Sequence, residues 1–258
     1  MFRATDRFIK KSSLETKAGQ VSPEDYPAIW KKVFYKEYPR FLQVDLKLPE
    51  HPAPQLKDLL FKRQSLREFS DTPIPFDIVS GCLYYSAGLM VHTKQDYNNR
   101  LDARFYPSAG KRYPTEVYFI ARRVESMPQG IYHYNVNKNN VELINEDVSD
   151  SVISPIFINE WVNKSPITFI LTSVLTRTQL KYGERGLRYS FFEAGHVAQN
   201  LLLNSVAFGL SACPIGGFID RELEKLIGIR SEFSGLHDIS SREKILYCIT
   251  AGHAKDVE

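Results

Sequence analysis

The chain has 258 residues and a formal net charge of +3, and 43% of its residues are hydrophobic. This length fits one large domain or two small ones, with enough apolar residues for a sizeable core. So small a charge argues against general nucleic-acid binding, and we interpret Arg122 and Arg123 as solvated surface. No run of about 18 apolar residues occurs, so we expect no membrane span. Residues 1–11 lack the apolar run of a secretory signal, so the cytoplasm is the expected compartment.

The three cysteines, Cys82, Cys213 and Cys248, are widely spaced and lie in apolar surroundings. An odd number of cysteines without a Cys-x-x-Cys pair argues against a disulfide framework and against a structural zinc site. We therefore predict that all three are buried free thiols.

The first part of the chain is predicted to be an arm ahead of the main domain. Residues 1–17 are polar and uneven, which indicates a partly ordered segment. Residues 26–35 follow a cap-like Ser-Pro-Glu-Asp and carry apolar side chains at helical spacing, which predicts a helix. The proline-rich stretch 48–54 is interpreted as an extended connector, because proline fixes φ and removes a backbone donor. The predicted division is an arm or helical extension over 1–46 and a main domain over 47–258.

The main domain mixes helix and strand patterns without regular alternation, which favours an α+β fold. Strands are predicted at residues 117–120, 130–134, 141–143, 167–171 and 245–249, with a hairpin turn at 137–140. Helices are predicted at residues 55–61, 76–87, 187–208 and 221–227, with Gly209 ending the third and Asp220 capping the fourth. The helix over 187–208 has apolar residues on most of its surface, as expected in a core or a subunit interface.

Lys181 and Tyr182 lie on a glycine-bounded turn at the head of that long helix. Burial disfavours the charged form of both side chains, so the pair is costly unless it performs proton chemistry. The alternative is a solvated helix start whose flank is covered by Arg185 and Arg188.

Arg63, Ser65 and Arg67 recur at every second position after an apolar helix. In an extended segment all three side chains would face one ligand, and guanidinium groups bind phosphate through bidentate hydrogen bonds. The alternative is an exposed basic helix end.

Two further segments combine small side chains with glycine. One consists of Pro107, Ser108, Ala109 and Gly110, and the other contains Pro214, Gly216 and Gly217. Such residues let a backbone approach a flat ring closely, and the Ser108 hydroxyl is also a hydrogen-bond donor. An ordinary polar turn is the alternative for the first segment.

Glu193 and His196 are spaced i, i+3 on the long helix, as in half of a di-iron carboxylate site. The second Glu-x-x-His that such a site needs does not occur in the chain. We therefore predict no metal site, and we expect His196 to be packed in the helix core and hydrogen-bonded to a neighbour.

In chain order, the segments 63–69, 106–118, 181–182 and 193–200 resemble those of the nitroreductase-fold flavoenzymes. Within that group the chain is most similar to the SagB-type dehydrogenases, the FMN-dependent azoline oxidases of thiazole and oxazole peptide maturation. The resemblance covers roughly residues 47–253. It implies a central, mostly antiparallel sheet flanked by helices, and a homodimer with FMN at the subunit interface.

The resemblance also implies roles for the residues singled out above. It assigns FMN binding to Arg63, Ser65 and Arg67, to the loop Pro107, Ser108, Ala109 and Gly110 (often from the partner subunit), and to Pro214, Gly216 and Gly217 beside the ring. His253 is a further candidate near the phosphate. Nitroreductases often carry an acidic residue before the glycine of the second turn, where this chain has Ile215, so the resemblance is weaker there.

The resemblance further implies that Lys181 and Tyr182 fill the catalytic Lys-Tyr positions of the SagB-type dehydrogenases. In azoline oxidation a ring carbon loses a proton to a positioned base while the flavin accepts a hydride from the neighbouring carbon. Which of the two residues is the base stays open. The implied substrate is an azoline on a peptide or a carrier, and a cyclodehydratase is an implied partner; the arm would suit partner docking or disorder.

Two rival functions compete with azoline oxidation. One is an NAD(P)H-dependent nitroreductase or quinone reductase, which does not need the pair Lys181 and Tyr182. The other is a flavinless scaffold protein, and the intact Arg63, Ser65, Arg67 and Ser108 argue against it.

Overall fold

The computed structural model describes residues 3–14, 22–90, 103–229 and 242–255. These residues form one seven-stranded sheet. Its strands are β1 (Leu42–Asp45), β2 (Thr115–Ala121), β3 (Gly130–Asn135), β4 (Asn140–Asn145), β5 (Ile167–Val174), β6 (Ser211–Ile215) and β7 (Glu243–Gly252). The order is β1-β4-β3-β2-β5-β7-β6, and every neighbouring pair is antiparallel. The predicted α+β class with a mostly antiparallel sheet is confirmed.

Helices flank this sheet and connect its strands. They are α1 (Arg3–Ser12), α2 (Ala28–Lys31), α3 (Leu56–Lys62), α4 (Phe76–Ala87), α5 (Asp150–Ile153), α6 (Leu175–Tyr182), α7 (Gly186–Ala207) and α8 (Asp220–Leu226). The predictions for α3, α4, α7 and α8 are confirmed within a residue, whereas β1, β6 and α6 were not predicted. Asp220 is the first residue of α8 and not its cap, because Ile219 stands at the N-cap without a side-chain hydrogen bond.

The predicted helix over residues 26–35 is wrong beyond α2, because the backbone turns extended at Lys32. The Arg112 guanidinium donates to the carbonyls of Ile29 and Trp30, at 3.2 and 2.6 Å, and to that of Lys32. Continuation of the helix would need the Ile29 and Trp30 carbonyls for its own hydrogen bonds. A tertiary contact therefore overrides the local pattern.

The central strands are buried on both faces. On β2, Phe119 joins the cluster that includes Leu83 of α4 and Leu201 of α7, whereas Tyr118 joins the cluster on the opposite face with Leu223 of α8. Successive strand residues point to opposite faces, so a strand covered on both sides becomes a continuous apolar run. That is why the central strands could be predicted from the sequence.

The long helix α7 is buried on one side only. Ala194, Val197 and Leu201 face the core, whereas Phe191 is 48% and Phe192 60% exposed. His196 is exposed as well, so the prediction of a core histidine is wrong. Helical spacing places it on the side opposite the buried stripe. The apolar residues around α7 thus leave an uncovered aromatic patch within one chain.

Of the two basic residues interpreted as solvated surface, Arg122 is buried and Arg123 is partly buried, and both donate to backbone carbonyls. Arg122 is only 7% exposed and donates to the carbonyls of Val162 and Ser165, at 3.3 and 3.5 Å. Arg123 donates to the carbonyl of Lys164. The sequence carries no sign of these carbonyls, which come from a distant turn. All three cysteines are buried and free, as predicted.

No helix in the described ranges is long and apolar enough to cross a membrane.

The described part of the first 46 residues packs against the rest of the chain. Strand β1 pairs with β4 at the edge of the sheet. Lys36 forms an ion pair with Glu243, which is 3% exposed, and donates to the Tyr118 hydroxyl at 2.6 Å. Burial lowers the pKa of Lys36, but the Glu243 charge opposes this and the result is a pKa raised to about 12.

We predict that Lys36→Met lowers the free energy of unfolding by about 3 kcal/mol, because it leaves the buried Glu243 carboxylate without its counter-ion. Urea unfolding monitored by circular dichroism measures the change. The control is Lys138→Met, which removes a more exposed ion pair with Glu37 at 3.2 Å and should cost no more than about 1 kcal/mol. Equal losses in the two variants would contradict this account.

Candidate functional site

The segment that carries Arg63, Ser65 and Arg67 runs beside the edge of the sheet. Ser65 forms a parallel bridge with Ala212 of β6. Further along, the Ser70 amide donates to the His253 carbonyl at 2.9 Å. Residues two apart lie on the same side of an extended backbone, so this bridge is consistent with a common side for Arg63, Ser65 and Arg67.

Three more predicted binding residues lie around the same edge. Pro214 is on β6, where a proline is tolerated because β6 is the last strand of the sheet. Gly216 and Gly217 follow β6, so the predicted glycine turn begins after a strand. We name the arginine cluster as Arg63, Ser65, Arg67, Pro214, Gly216, Gly217 and His253.

Two guanidinium groups give the arginine cluster positive charge. Arg67 lies near the Cys213 thiol, whose pKa is raised by burial, while the Arg67 charge and a hydrogen bond with Ser65 oppose that rise. Within the described residues neither Arg63 nor Arg67 forms an ion pair. Ser65 and Arg67 are exposed and Arg63 is half-buried. The cluster therefore has guanidinium groups available for an anion.

The other predicted site residues meet at the end of α6. Lys181 and Tyr182 are the last two residues of this helix, and both are half-buried. Gly110 has φ +61°, and a Cβ built there would lie 2.5 Å from the Tyr182 hydroxyl and 3.1 Å from Lys181 Nζ. Only glycine allows both the left-handed backbone and so close an approach. The glycine loop and the Lys-Tyr pair are thus one structural unit.

We name this unit the lysine cluster: Pro107, Ser108, Ala109, Gly110, Lys181 and Tyr182. Ser108 Oγ accepts a hydrogen bond from the Tyr113 amide at 2.8 Å, which fixes the loop. Burial raises the pKa of Tyr182, and the nearby Tyr189 and Tyr26 raise it further. The Tyr182 phenol is therefore protonated at neutral pH and able to donate a hydrogen bond.

Arg177 holds the helix that carries Lys181. Its guanidinium donates to the Tyr113 carbonyl at 2.9 Å and forms an ion pair with Glu116 Oε1 at 2.5 Å. Glu116 also contacts His133 Nε2 at 3.1 Å. Burial raises the pKa of Glu116, but the charge of Arg177 and the contact with His133 outweigh it and leave the pKa at about 2.

Glu193 was considered from the sequence only as a metal ligand, and its burial beside Ser108 was not predicted. It is 2% exposed and its Oε1 accepts from the Thr115 amide at 3.4 Å. Burial raises its pKa to about 7, against a hydrogen bond from Ser108 and the charge of Arg104. Its position between Ala194 and Ser190 on the buried stripe of α7 was the available signal, since an acidic residue there needs a partner or a proton.

The two clusters are carried by different elements of the fold. The arginine cluster lies on β6 and on the extended segment beside it, whereas the lysine cluster lies at the end of α6 and in the loop before β2. The arginine cluster offers guanidinium groups, whereas the lysine cluster offers the amine of Lys181 and the phenol of Tyr182.

We predict that Glu193→Gln changes how stability depends on pH. The folded-state pKa of about 7 lies above the ordinary value of 4.5. The stability due to Glu193 is therefore complete below pH 4.5 and is lost as the pH rises through 7. The wild-type free energy of unfolding should fall relative to that of Glu193→Gln across this window, by up to about 3 kcal/mol.

Urea unfolding at intervals from about pH 5 to 8 measures the difference between the two proteins. The exposed Glu125→Gln serves as the control and should run parallel to wild type. A constant offset between Glu193→Gln and wild type would show that the Glu193 carboxyl does not titrate in this range.

Residues 60–253 match the model of the Nitroreductase family. MJ1384 of Methanocaldococcus jannaschii, which is named as a nitroreductase homologue, is 30% identical over 188 residues, or 72% of this chain and 91% of that protein.

Solved structures share the fold. A nitroreductase-type protein from Anabaena variabilis matches with a TM-score of 0.66 and 22% identity over 84% of this chain, which spans only 42% of the Anabaena chain. The E. coli microcin synthetase McbBCD complex, with truncated pro-MccB17 bound, matches with a TM-score of 0.60 and 18% identity, over 98% of this chain and 92% of that chain. These matches confirm the predicted nitroreductase-like fold. Because the family model also covers well over half of the residues, the chain belongs to the nitroreductase family.

Proposed function

We propose that this protein is an FMN-dependent oxidoreductase that converts thiazoline or oxazoline rings to the aromatic azoles. The observation that carries the proposal is the packing of Lys181 and Tyr182 against the glycine loop. A lysine and a tyrosine fixed beside a close backbone approach suit proton removal next to a flat ring. The ring would be presented on a peptide or on a carrier.

The arginine cluster fits the phosphate of FMN. Arg63 and Arg67 have no acidic partner in the described ranges, and guanidinium groups are the preferred bidentate ligands of phosphate. A Cβ at Gly216 would meet nothing within 4 Å, so there is room beside the cluster. Ser65 and His253 complete its polar surface. When bound, FMN supplies the acceptor for a hydride.

The uncovered aromatic patch on α7 supports the proposal of a homodimer. Phe191 and Phe192 are about half exposed, and α3 adds Leu60 and Phe61, which are 53% and 76% exposed. Large apolar groups concentrated on neighbouring helices are typical of a subunit interface. In such a dimer, the arginine cluster of one subunit and the lysine cluster of the other would form one site.

Within that site we assign proton removal to Lys181. Since the raised pKa of Tyr182 keeps its phenol protonated, Tyr182 is suited to donate a hydrogen bond and not to accept a proton. Lys181, in its neutral form, takes the proton as the carbon–hydrogen bond breaks and becomes an ammonium. Ring faces of Tyr26 and Tyr182 lie 4.5 and 5.6 Å from Nζ and favour that ammonium.

The microcin synthetase structure bears on the kind of substrate. That complex was solved with a truncated pro-peptide bound, and its likeness to this chain extends over 98% of the residues here. It supports a peptide-borne azoline as the first substrate to test, with a cyclodehydratase as the partner that would form the ring. We place the reaction in the cytoplasm.

We predict that Lys181→Ala and Tyr182→Phe keep bound FMN but lose azoline oxidation. Loss of a positioned proton-transfer group typically costs about 10²- to 10⁴-fold in rate. Absorbance of the purified proteins measures FMN, and mass spectrometry of a thiazoline peptide measures the two-hydrogen loss. Lys225→Ala, an exposed lysine at the end of another helix, is the control.

Wild-type turnover in both variants would remove the pair from the reaction. Inactivity of the wild type on azolines, together with FMN-dependent oxidation of NAD(P)H by quinones or nitro compounds, would favour the reductase alternative. A wild-type protein that cannot be loaded with FMN would favour the scaffold alternative.

We predict that Phe192→Asp abolishes the dimer and, with it, FMN binding, because a charge is introduced into the apolar interface. Sedimentation and FMN absorbance measure the two effects. Phe41→Asp, at another exposed phenylalanine that is 45% accessible, should remain dimeric and yellow. A monomeric Phe192→Asp protein with full FMN content would contradict a site shared between subunits.

A further inference from the structure

A segment near the N-terminus packs against the lysine cluster. We name residues 26–32 the strap, and they lie before the region that matches the family. The Arg112 side chain is 3% exposed and donates to three strap carbonyls, those of Ile29, Trp30 and Lys32. Arg112 follows Gly110 by two residues, so the glycine loop and the strap are joined by one buried guanidinium.

The strap also caps a carbonyl in the last turn of the helix that carries Lys181. Trp30 Nε1 donates to the Leu180 carbonyl at 3.0 Å. The last carbonyls of a helix have no partner within the helix and need one from elsewhere. An indole N–H from the strap supplies it at the residue directly before Lys181.

Aromatic rings of the strap face the Lys181 amino group. Nζ lies 4.5 Å from the centroid of the Tyr26 ring and 5.7 Å from that of Trp30. The two rings meet edge to face at 5.5 Å, so each fixes the other. A flexible lysine side chain that lies against two packed rings loses much of its rotamer freedom.

We infer that Tyr26 and Trp30 are positioning residues for Lys181, and that the strap forms one wall of the active site. The positioning follows from the contacts alone, whereas its consequence for catalysis rests on the proposed function. Trp30 fixes the helix end, both rings hold Nζ, and Arg112 holds the strap. The side chain that accepts the proton is thus aimed before substrate arrives.

Chemical labelling of lysines tests the positioning without any assay of activity. The full-length protein is treated briefly with acetic anhydride, and the acetylation of each lysine is quantified by peptide mass spectrometry. In Tyr26→Leu and Trp30→Leu the labelling rate of Lys181 should rise by about two- to fivefold per ring removed. The exposed Lys62 and Lys225 are internal references whose rates should not change.

Conservative variants separate the ring from general disruption. Tyr26→Phe keeps the ring and should label like wild type, whereas Trp30→Phe keeps a ring but loses the hydrogen bond to Leu180 and should be intermediate. Phe41→Leu is the matched control, an aromatic-to-leucine change in the same part of the chain, where the ring contacts Tyr38. Arg112→Lys should release the strap and raise Lys181 labelling even if the leucine variants fold poorly.

Turnover gives the second readout. The double variant Tyr26→Leu/Trp30→Leu should lower kcat for azoline oxidation at least about tenfold, because the base is no longer aligned with the substrate. Its FMN content and KM should stay near those of wild type. Unchanged Lys181 labelling in this double variant and in Arg112→Lys overturns the inference, whatever the activity. Raised labelling in a protein whose wild type never oxidises azolines supports the positioning and overturns the proposed function instead.

Discussion

The candidate site depends on the hydrogen bonds that the buried Arg112 guanidinium donates to backbone carbonyls of the strap. A buried guanidinium must find acceptors, because leaving it without them would cost several kcal/mol. It donates to the backbone carbonyls of Ile29, Trp30 and Lys32, and these hydrogen bonds end α2 where the chain turns extended. The same contact presents Trp30 to the end of α6 and therefore fixes where Lys181 lies.

Two acidic residues near this site have similar burial, but their pKa values are shifted in opposite directions. Glu116 is 3% exposed and Glu193 is 2% exposed. Glu116 has Arg177 and His133 in direct contact, which stabilise its carboxylate. Glu193 has weaker hydrogen bonds, so burial decides its protonation. The first fixes α6 as a permanent charge, and the second lies under the Ser108 loop as a group that can change charge near neutral pH.

Features that depend on burial alone could be predicted from the sequence, and features that depend on one distant partner could not. The strands β2 and β5 and the helix α4 were predicted because both faces, or one broad face, are apolar. Three predictions were wrong: the full length of the helix over residues 26–35, the surface position of Arg122 and the core position of His196. In the first two a guanidinium meets carbonyls from a remote segment, which no local pattern contains. The prediction for His196 was wrong because the apolar residues around α7 do not indicate which side of the helix the core covers.

The candidate site shows the same division between local and distant information. Two parts of the site could be recognised from the sequence because each lies within one short motif: the spacing of Arg63, Ser65 and Arg67, and the glycine at position 110. Their assembly into two clusters was not, since it depends on which edge of the sheet each motif reaches. The arginine cluster is built on extended backbone beside β6, and the lysine cluster on a helix end. The groups suited to bind an anion and those suited to transfer a proton therefore lie on different elements of the chain, and in the proposed dimer they would come from different subunits.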